Sequence, residues 1–245
     1  AGMKASHRPT PTAIQSRTPV QQLKAGVALD EESSKQLLAS YGVQAPREVL
    51  VRPDQKLADR IAGLDYPMVV KIVSEDIPHK TEAGGVILNL PDLRAVELAA
   101  ARVVANAENY KPLARIGGVL ISEMIADAIE MIVGTVNDDA FGPVIVVGFG
   151  GIFAEILKDV AYRVAPCDAA TARQMLEDLQ GYAVLNGARG RPMADVDALV
   201  SAIVAVSNLA WDLRDQIKEM DINPLLVRPK GKGVLAADAL IVPVG

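Results

Sequence analysis

The stretch Pro67–Val86 reads PMVVKIVSEDIPHKTEAGGV. Met68–Val73 is a β-like apolar run with a lysine, Lys71, near its middle. An alternating strand places Val69, Lys71 and Val73 on one face. An unpaired ammonium buried there is costly, so Lys71 needs an anion or an escape to water. A nucleotide phosphate would supply the anion. The plainer alternative is an edge-strand lysine that snorkels to solvent. The loop that follows carries His79-Lys80 and then Gly84-Gly85. Glycines let backbone N–H groups come close to an anion, and a histidine in such a loop could hold phosphate or accept it as a nucleophile. The alternative here is an ordinary surface loop closed by a glycine turn.

Working outward, the spacing predicts a helix over Asp30–Tyr41 with Gly42 as its stop. A short strand follows over Ala45–Val51, then a helix over Gln55–Leu64. Val86–Leu90 is strand, and an Ala-rich helix runs from Pro91 to about Ala107. Strands are expected at Gly118–Ile121, Ile129–Val136 and Val144–Gly148. Helices are expected over Asp168–Leu179 and Asp195–Leu213, each opened by its aspartate as N-cap. Glu219–Val227 and Val234–Val242 close the chain as a hairpin turned by Lys230-Gly231-Lys232-Gly233. This order is an α+β, or mixed α/β, layout and not a regular doubly wound repeat.

The 245 residues suffice for one large domain or two modest ones. A net charge of −5 and 4% aromatic residues argue against nucleic acid as a partner, which needs clustered cations or stacking platforms. No apolar run reaches membrane-spanning length. The single cysteine, Cys167, excludes an internal disulfide and suits a cytoplasmic setting. Residues 1–22, rich in Ser, Thr, Pro and basic residues, are expected to be a flexible tail or linker.

The hairpin carries the sharpest chemistry. Asn223 and Asp238 are fifteen residues apart on adjacent antiparallel strands, so their oxygens can face each other. Mg²⁺ commonly takes one or two protein carboxylates, completing its shell with phosphates and water. Hydrogen bonding within the hairpin is the alternative, and it must account for Asp221 as well. A strand ending in Glu123-Met124-Ile125 can present backbone groups to a flat heterocycle, and Glu130 could accept from ribose hydroxyls. The run from Gly148 (GFGGIFAEIL) has neither the dinucleotide fingerprint nor the P-loop spacing. Its glycines can instead permit tight strand packing.

Taken together, VVKIVSEDIPHKTEAGGV, FGPVIVVGFGG and MDINPL…AADA, in that order, resemble the ATP-grasp domain of ADP-forming (NDP-forming) acyl-CoA synthetases, relatives of succinyl-CoA synthetase β subunits. The resemblance spans about Leu29–Pro243. It implies an ATP-grasp fold with a nucleotide cleft between a smaller lobe, 23–110, and a larger one, 111–245. It implies ATP or ADP as substrate with Mg²⁺. Lys71, Gly84, Gly85, Glu123, Met124, Ile125 and Glu130 would bind nucleotide, and Asn223, Asp238 and Asp221 would hold metal. Asp221 stands where relatives often have glutamate. His79 matches a phosphate-carrying histidine that relays phosphate between ADP and a histidine on a CoA-binding part. The CoA-binding and ligase-like domains, or an α subunit bringing acyl-CoA, would be the partners. A regulatory, acyl-CoA-binding module of a protein lysine acetyltransferase is the alternative reading of the same region.

Overall fold

The computed structural model describes residues 23–77, 79–151, 159–187, 190 and 192–245. The expected tail, Pro78 and much of the glycine run from Gly148 lie outside the described residues.

Two antiparallel sheets organise the chain. In the first, β1 (Glu48–Val51), β2 (Met68–Val73), β3 (Val86–Leu90) and β4 (Gly118–Glu123) lie in the order β1-β4-β2-β3. Met68, Val70 and Ile72 point to one face of β2. There they meet α3 (Leu93–Tyr110), which buries Val96, Ala99, Val103 and Ala107 at helical spacing. Asp92 caps α3 by accepting from Ala95 N at 2.8 Å. A short helix, α2 (Leu57–Ile61), adds Ile61 to the same core.

The second sheet runs β10-β8-β5-β6-β7, with β9 pairing the far half of β8. Its strands are β5 (Ile129–Asp138), β6 (Gly142–Phe149), β7 (Val160–Val164), β8 (Ile217–Val227), β9 (Val234–Ala236) and β10 (Ala239–Pro243). One face is covered by α4 (Ala169–Glu177), α5 (Tyr182–Leu185) and α6 (Val196–Asp212). Helix α6 is the centre of that core, burying Leu199, Ile203, Val206 and Leu209 completely. Asp195 starts α6 and also accepts from Gly231 N and Gly233 N at 2.9 and 2.8 Å, tying the hairpin turn to the helix. Burial works to raise its pKa, but these backbone donors outweigh it and hold the carboxyl below its ordinary value.

Two regions cross the expected lobe boundary at residue 110. Strand β4 completes the first sheet, because its alternating Val119 and Ile121 fit the α3 core. Helix α1 (Glu31–Ser40) joins the second body: Leu38 and Val43 belong to the larger core, and Leu29 N donates to Ile241 O at 2.9 Å. The first turn of α1 nevertheless reaches the first sheet, where Glu31 pairs with Lys71, so α1 touches both.

Three local expectations differ. Strand β7 has a solvent-facing apolar row, Val160, Tyr162 and Val164, at 40 to 56% exposure, so no burial contrast marked it beforehand. The helix at Leu57–Ile61 is shorter than its pattern. The returning strand of the hairpin breaks at Ala237-Asp238, where pairing with β8 passes from β9 to β10.

Candidate nucleotide and metal site

Lys71 is not on an edge strand. Strand β2 lies between β4 and β3, and Lys71 is 7% exposed. Its Nζ donates to Glu31 Oε1 at 3.0 Å and to Ala237 O at 2.5 Å. The anion facing the strand lysine is thus a glutamate in the first turn of α1, one strand break away from Asp238. The sequence reading passed over Glu31, because an acid just inside a helix N-terminus is ordinary on dipole grounds alone.

Glu31 gathers three lysines. Lys35 is at 2.7 Å, Lys71 at 3.0 Å and Lys80 at 2.9 Å. Burial alone would lift its pKa; the ammonium groups of Lys71, Lys35 and Lys80 more than reverse that and hold the carboxyl far below the usual carboxylate range. Lys35 also pairs with Glu48 at 2.8 Å, and burial pushes the Glu48 carboxyl above its ordinary value. Lys80 donates to both oxygens of Asp238 at 3.1 Å. Its own burial works to lower its pKa, but Glu31 and Asp238 raise it.

The metal candidates share the cleft side of the hairpin. Asn223 N donates to Asp238 O at 3.2 Å, and Ile222 is registered with Ala239, so the two chains meet as the spacing required. Asp221 and Asn223 are two apart on β8 and share a face. Asp221 is exposed, with its carboxyl beside Gly134 of β5. Burial first, then the negative Asp238 and Glu219, raise its pKa, while the Asn223 side chain pulls the other way. A pair of crowded acids beside an amide oxygen fits a hard cation, which would relieve the repulsion. Among the described residues no cluster of three or more His, Cys, Asp or Glu stands assembled. Asp221, Asn223 and Asp238 could offer oxygen ligands to a hard cation only with further ligands from elsewhere, such as phosphate or water.

The remaining candidates divide. The Glu123 carboxylate is already engaged: Arg47 is 2.7 Å from it and Asp65 N donates to it at 2.9 Å. Met124 N donates to Pro67 O at 2.9 Å. The segment Glu123–Ile125 is thus a pinned linker between the sheets. Glu130 is exposed at the start of β5, and Gly150 N donates to its carbonyl at 2.8 Å. A Cβ on Gly151, which has φ +59°, would come within 3.0 Å of Glu130 Oε2. These glycines give the room in which the Glu130 carboxylate lies.

Gly84 and Gly85 do not present free amides. Gly84 N donates to Thr81 O at 3.0 Å and Gly85 N to Lys80 O at 2.7 Å. A Cβ on Gly85 would sit 2.4 Å from Ile72 Cγ2, so the glycine allows the loop to fold onto β2. That fold turns Lys80 inward to Glu31 and leaves His79 exposed.

The family model for the ATP-grasp domain matches residues 22–242, so the chain belongs to the ATP-grasp family. It is 39% identical over 218 residues to the β subunit of acetate–CoA ligase [ADP-forming] II of Pyrococcus furiosus, covering 89% of this chain and 92% of that one. The crystal structure of PH1788 from Pyrococcus horikoshii Ot3 superposes with a TM-score of 0.83 at 38% identity, covering 89% of this chain and 92% of that one. A dinucleotide-forming acetyl-coenzyme A synthetase 1 of Ca. Korarchaeum cryptofilum superposes with a TM-score of 0.75 at 30% identity, covering 89% and 93%. That structure holds coenzyme A and Mg-AMPPCP, with a phosphohistidine segment pointing towards its nucleotide-binding site. Two Pyrococcus furiosus relatives are β subunits of ADP-forming acetate–CoA ligases, other relatives are longer ligases in which the match covers about 30%, and nothing found supports the acetyltransferase alternative. Among the described residues, no helix is long and apolar enough to cross a membrane.

Proposed function

We propose that the chain is the nucleotide-binding β subunit or domain of an ADP-forming acyl-CoA synthetase in the cytoplasm. In this reading it passes phosphate between a phosphohistidine and ADP in the cleft between the two sheets. The observation that carries the proposal is the contact of Lys71 Nζ with Ala237 O at 2.5 Å. Ala237 precedes Asp238, whose carbonyl accepts from Asn223 N, and this supports reading Lys71, Asp238 and Asn223 as one phosphate and metal site.

The reaction divides between partners. On the CoA-binding part, phosphate attacks the acyl-CoA carbonyl, releasing CoA and leaving an acyl phosphate. A histidine of that part takes the phosphoryl group and releases the carboxylate. His79 receives the group in turn, and a β-phosphate oxygen of ADP takes it from the imidazole: the P–N bond breaks, a P–O bond forms and ATP leaves. Bound Mg²⁺ would supply charge neutralisation across the nucleotide's terminal phosphates. Lys71 stabilises the charge that gathers on the transferring group, and Asp221, Asn223 and Asp238 would hold the cation. Backbone groups of Glu123–Ile125 border the base, and Glu130 accepts from the ribose. Gly84 and Gly85 act by shaping the loop that carries His79.

Calorimetry of the chain with ADP and saturating Mg²⁺ tests the reading. Binding at micromolar to millimolar affinity is expected, on the order of −4 to −8 kcal/mol. No heat and no thermal shift would overturn it.

A further inference from the structure

A buried carboxylate surrounded by three ammonium groups is more than a helix N-terminus needs. Glu31 is 7% exposed, and its two oxygens are divided. Oε1 accepts from Lys35 at 2.7 Å and from Lys71 at 3.0 Å, while Oε2 lies 2.9 Å from Lys80. Lys35 is itself locked by both oxygens of Glu48, at 3.1 and 2.8 Å. Asp30 fixes the turn that presents Glu31, accepting from Ser33 N at 2.7 Å. The carboxylate is therefore held from behind by Lys35 on a rigid helix, and it offers its forward side to two lysines from β2 and the loop after it.

The charges show what that arrangement does. Glu31, Glu48 and Asp238 face Lys35, Lys71 and Lys80, so the formal sum is zero while Lys80 engages Asp238. If Asp238 turns to a cation, Glu31 and Glu48 remain against three lysines. One positive charge is then left, on the side where Lys71 and Lys80 sit together. A phosphate would meet both ammonium groups, already oriented and free of the need to desolvate and order two long side chains at the moment of binding.

We propose that Glu31 is a positioning residue for the nucleotide step, holding the ammonium groups of Lys71 and Lys80 side by side to receive the terminal phosphates. The role rests on the nucleotide reading above, and it acts through the lysines without Glu31 touching the nucleotide.

The test compares ADP with adenosine, which keeps the base and ribose and lacks phosphate. Affinities of the chain for each are measured in Mg²⁺, by calorimetry for ADP and ligand-observed NMR for adenosine. Glu31→Gln should weaken ADP about tenfold or more, the scale of a lost charge-assisted contact, and leave adenosine unchanged. Glu31→Asp keeps the charge and the fold but withdraws the carboxylate by one methylene. It should weaken ADP about threefold or more, again sparing adenosine. Glu31→Asp decides the matter if the glutamine variant fails to fold. Equal losses for ADP and adenosine would make Glu31 a fold residue only. ADP affinity unchanged in folded variants would remove it from the site. Absence of ADP binding by the unaltered chain would overturn the nucleotide reading itself, and the positioning role with it.

Discussion

Lys80 Nζ lies 3.1 Å from both carboxylate oxygens of Asp238, so an ammonium already engages the carboxylate proposed to hold the metal. Lys80 comes from the loop of His79, and Asp238 from the break between β9 and β10. The pair thus fastens the loop to the hairpin, and metal loading must compete with it.

That competition is measurable. Lys80→Met removes the rival ammonium, so Mn²⁺ binding without nucleotide, followed by electron paramagnetic resonance, should tighten about fivefold, the effect of a ~1 kcal/mol ion pair released. Binding equal to or weaker than that of the unaltered chain would mean that Lys80 and the metal do not share Asp238.

Asp238→Asn takes away one anionic ligand while keeping the residue's size. ADP binding in saturating Mg²⁺ should fall by about tenfold, and binding in EDTA should change far less. Equal loss in both conditions, or unfolding, would make the aspartate a hairpin residue with no metal role.

Gly85→Ala should destabilise the chain by about 1–3 kcal/mol in urea unfolding, as forced overpacking does. The added methyl would meet Ile72 Cγ2 at 2.4 Å and Lys80 O at 3.0 Å, and Ile72 is fully buried in the α3 core. A stability change below about 0.5 kcal/mol would show that the loop can lift off β2 at no cost.

The sequence carried the hairpin and the strand lysine further than it carried the network around them. Asn223 and Asp238 were legible because a strand's period fixes which residues share a face, and a hairpin's register fixes which meet across it. Asp92, Asp168 and Asp195 cap their helices as the pattern required for the last two and left unstated for the first. Lys71 announced a missing anion but not which one. Glu31 is forty residues away in the chain, and its contact depends on how α1 lies across the first sheet, which no local period encodes. Glu123 shows the reverse. Its place in the motif marks backbone groups for the base, and nothing local shows that Arg47 and Asp65 N, remote in sequence, engage its carboxylate. Strand β7 escaped notice because its outward residues are as apolar as its inward ones.

Glu31 also contributes to the acid limb of stability. Its pKa is lowered in the fold, so its ionised form contributes stability that is complete above the unfolded value, about 4.3, and is lost as pH falls below it. Glu48, whose pKa is raised, works in the opposite sense and takes up its proton while still folded. Urea unfolding between pH 6 and pH 3 should therefore show stability falling more steeply in the unaltered chain than in Glu31→Gln. The limiting difference is about 1.4 kcal/mol per pH unit for one proton. At neutral pH the variant should already be weaker by about 3 kcal/mol, because three lysines then lack their common anion. Parallel acid limbs would mean that Glu31 is as easily protonated folded as unfolded.

His79 separates binding from turnover. Its side chain is exposed, in contrast to its neighbour Lys80, which reaches inward to Glu31 and Asp238. Replacing it should therefore cost the fold less than about 0.5 kcal/mol. A phosphate carrier must reach the nucleotide at one moment and a distant donor at another, and the loop from Ser74 to Gly85 would have to swing to do so. Its anchors include Lys80 to Glu31 and Asp238, and Asp76 to Arg115 at 3.0 Å, which such a swing would have to release. His79→Ala, reconstituted with the CoA-binding partner, should form no ATP from acyl-CoA, ADP and phosphate. Calorimetry should find its affinity for Mg-ADP within about twofold of the unaltered chain, since Lys71, the metal residues and the segment Glu123–Ile125 are untouched. Full turnover by the variant would take His79 out of the relay, and a matching loss of ADP affinity would make it a ligand contact instead of a carrier.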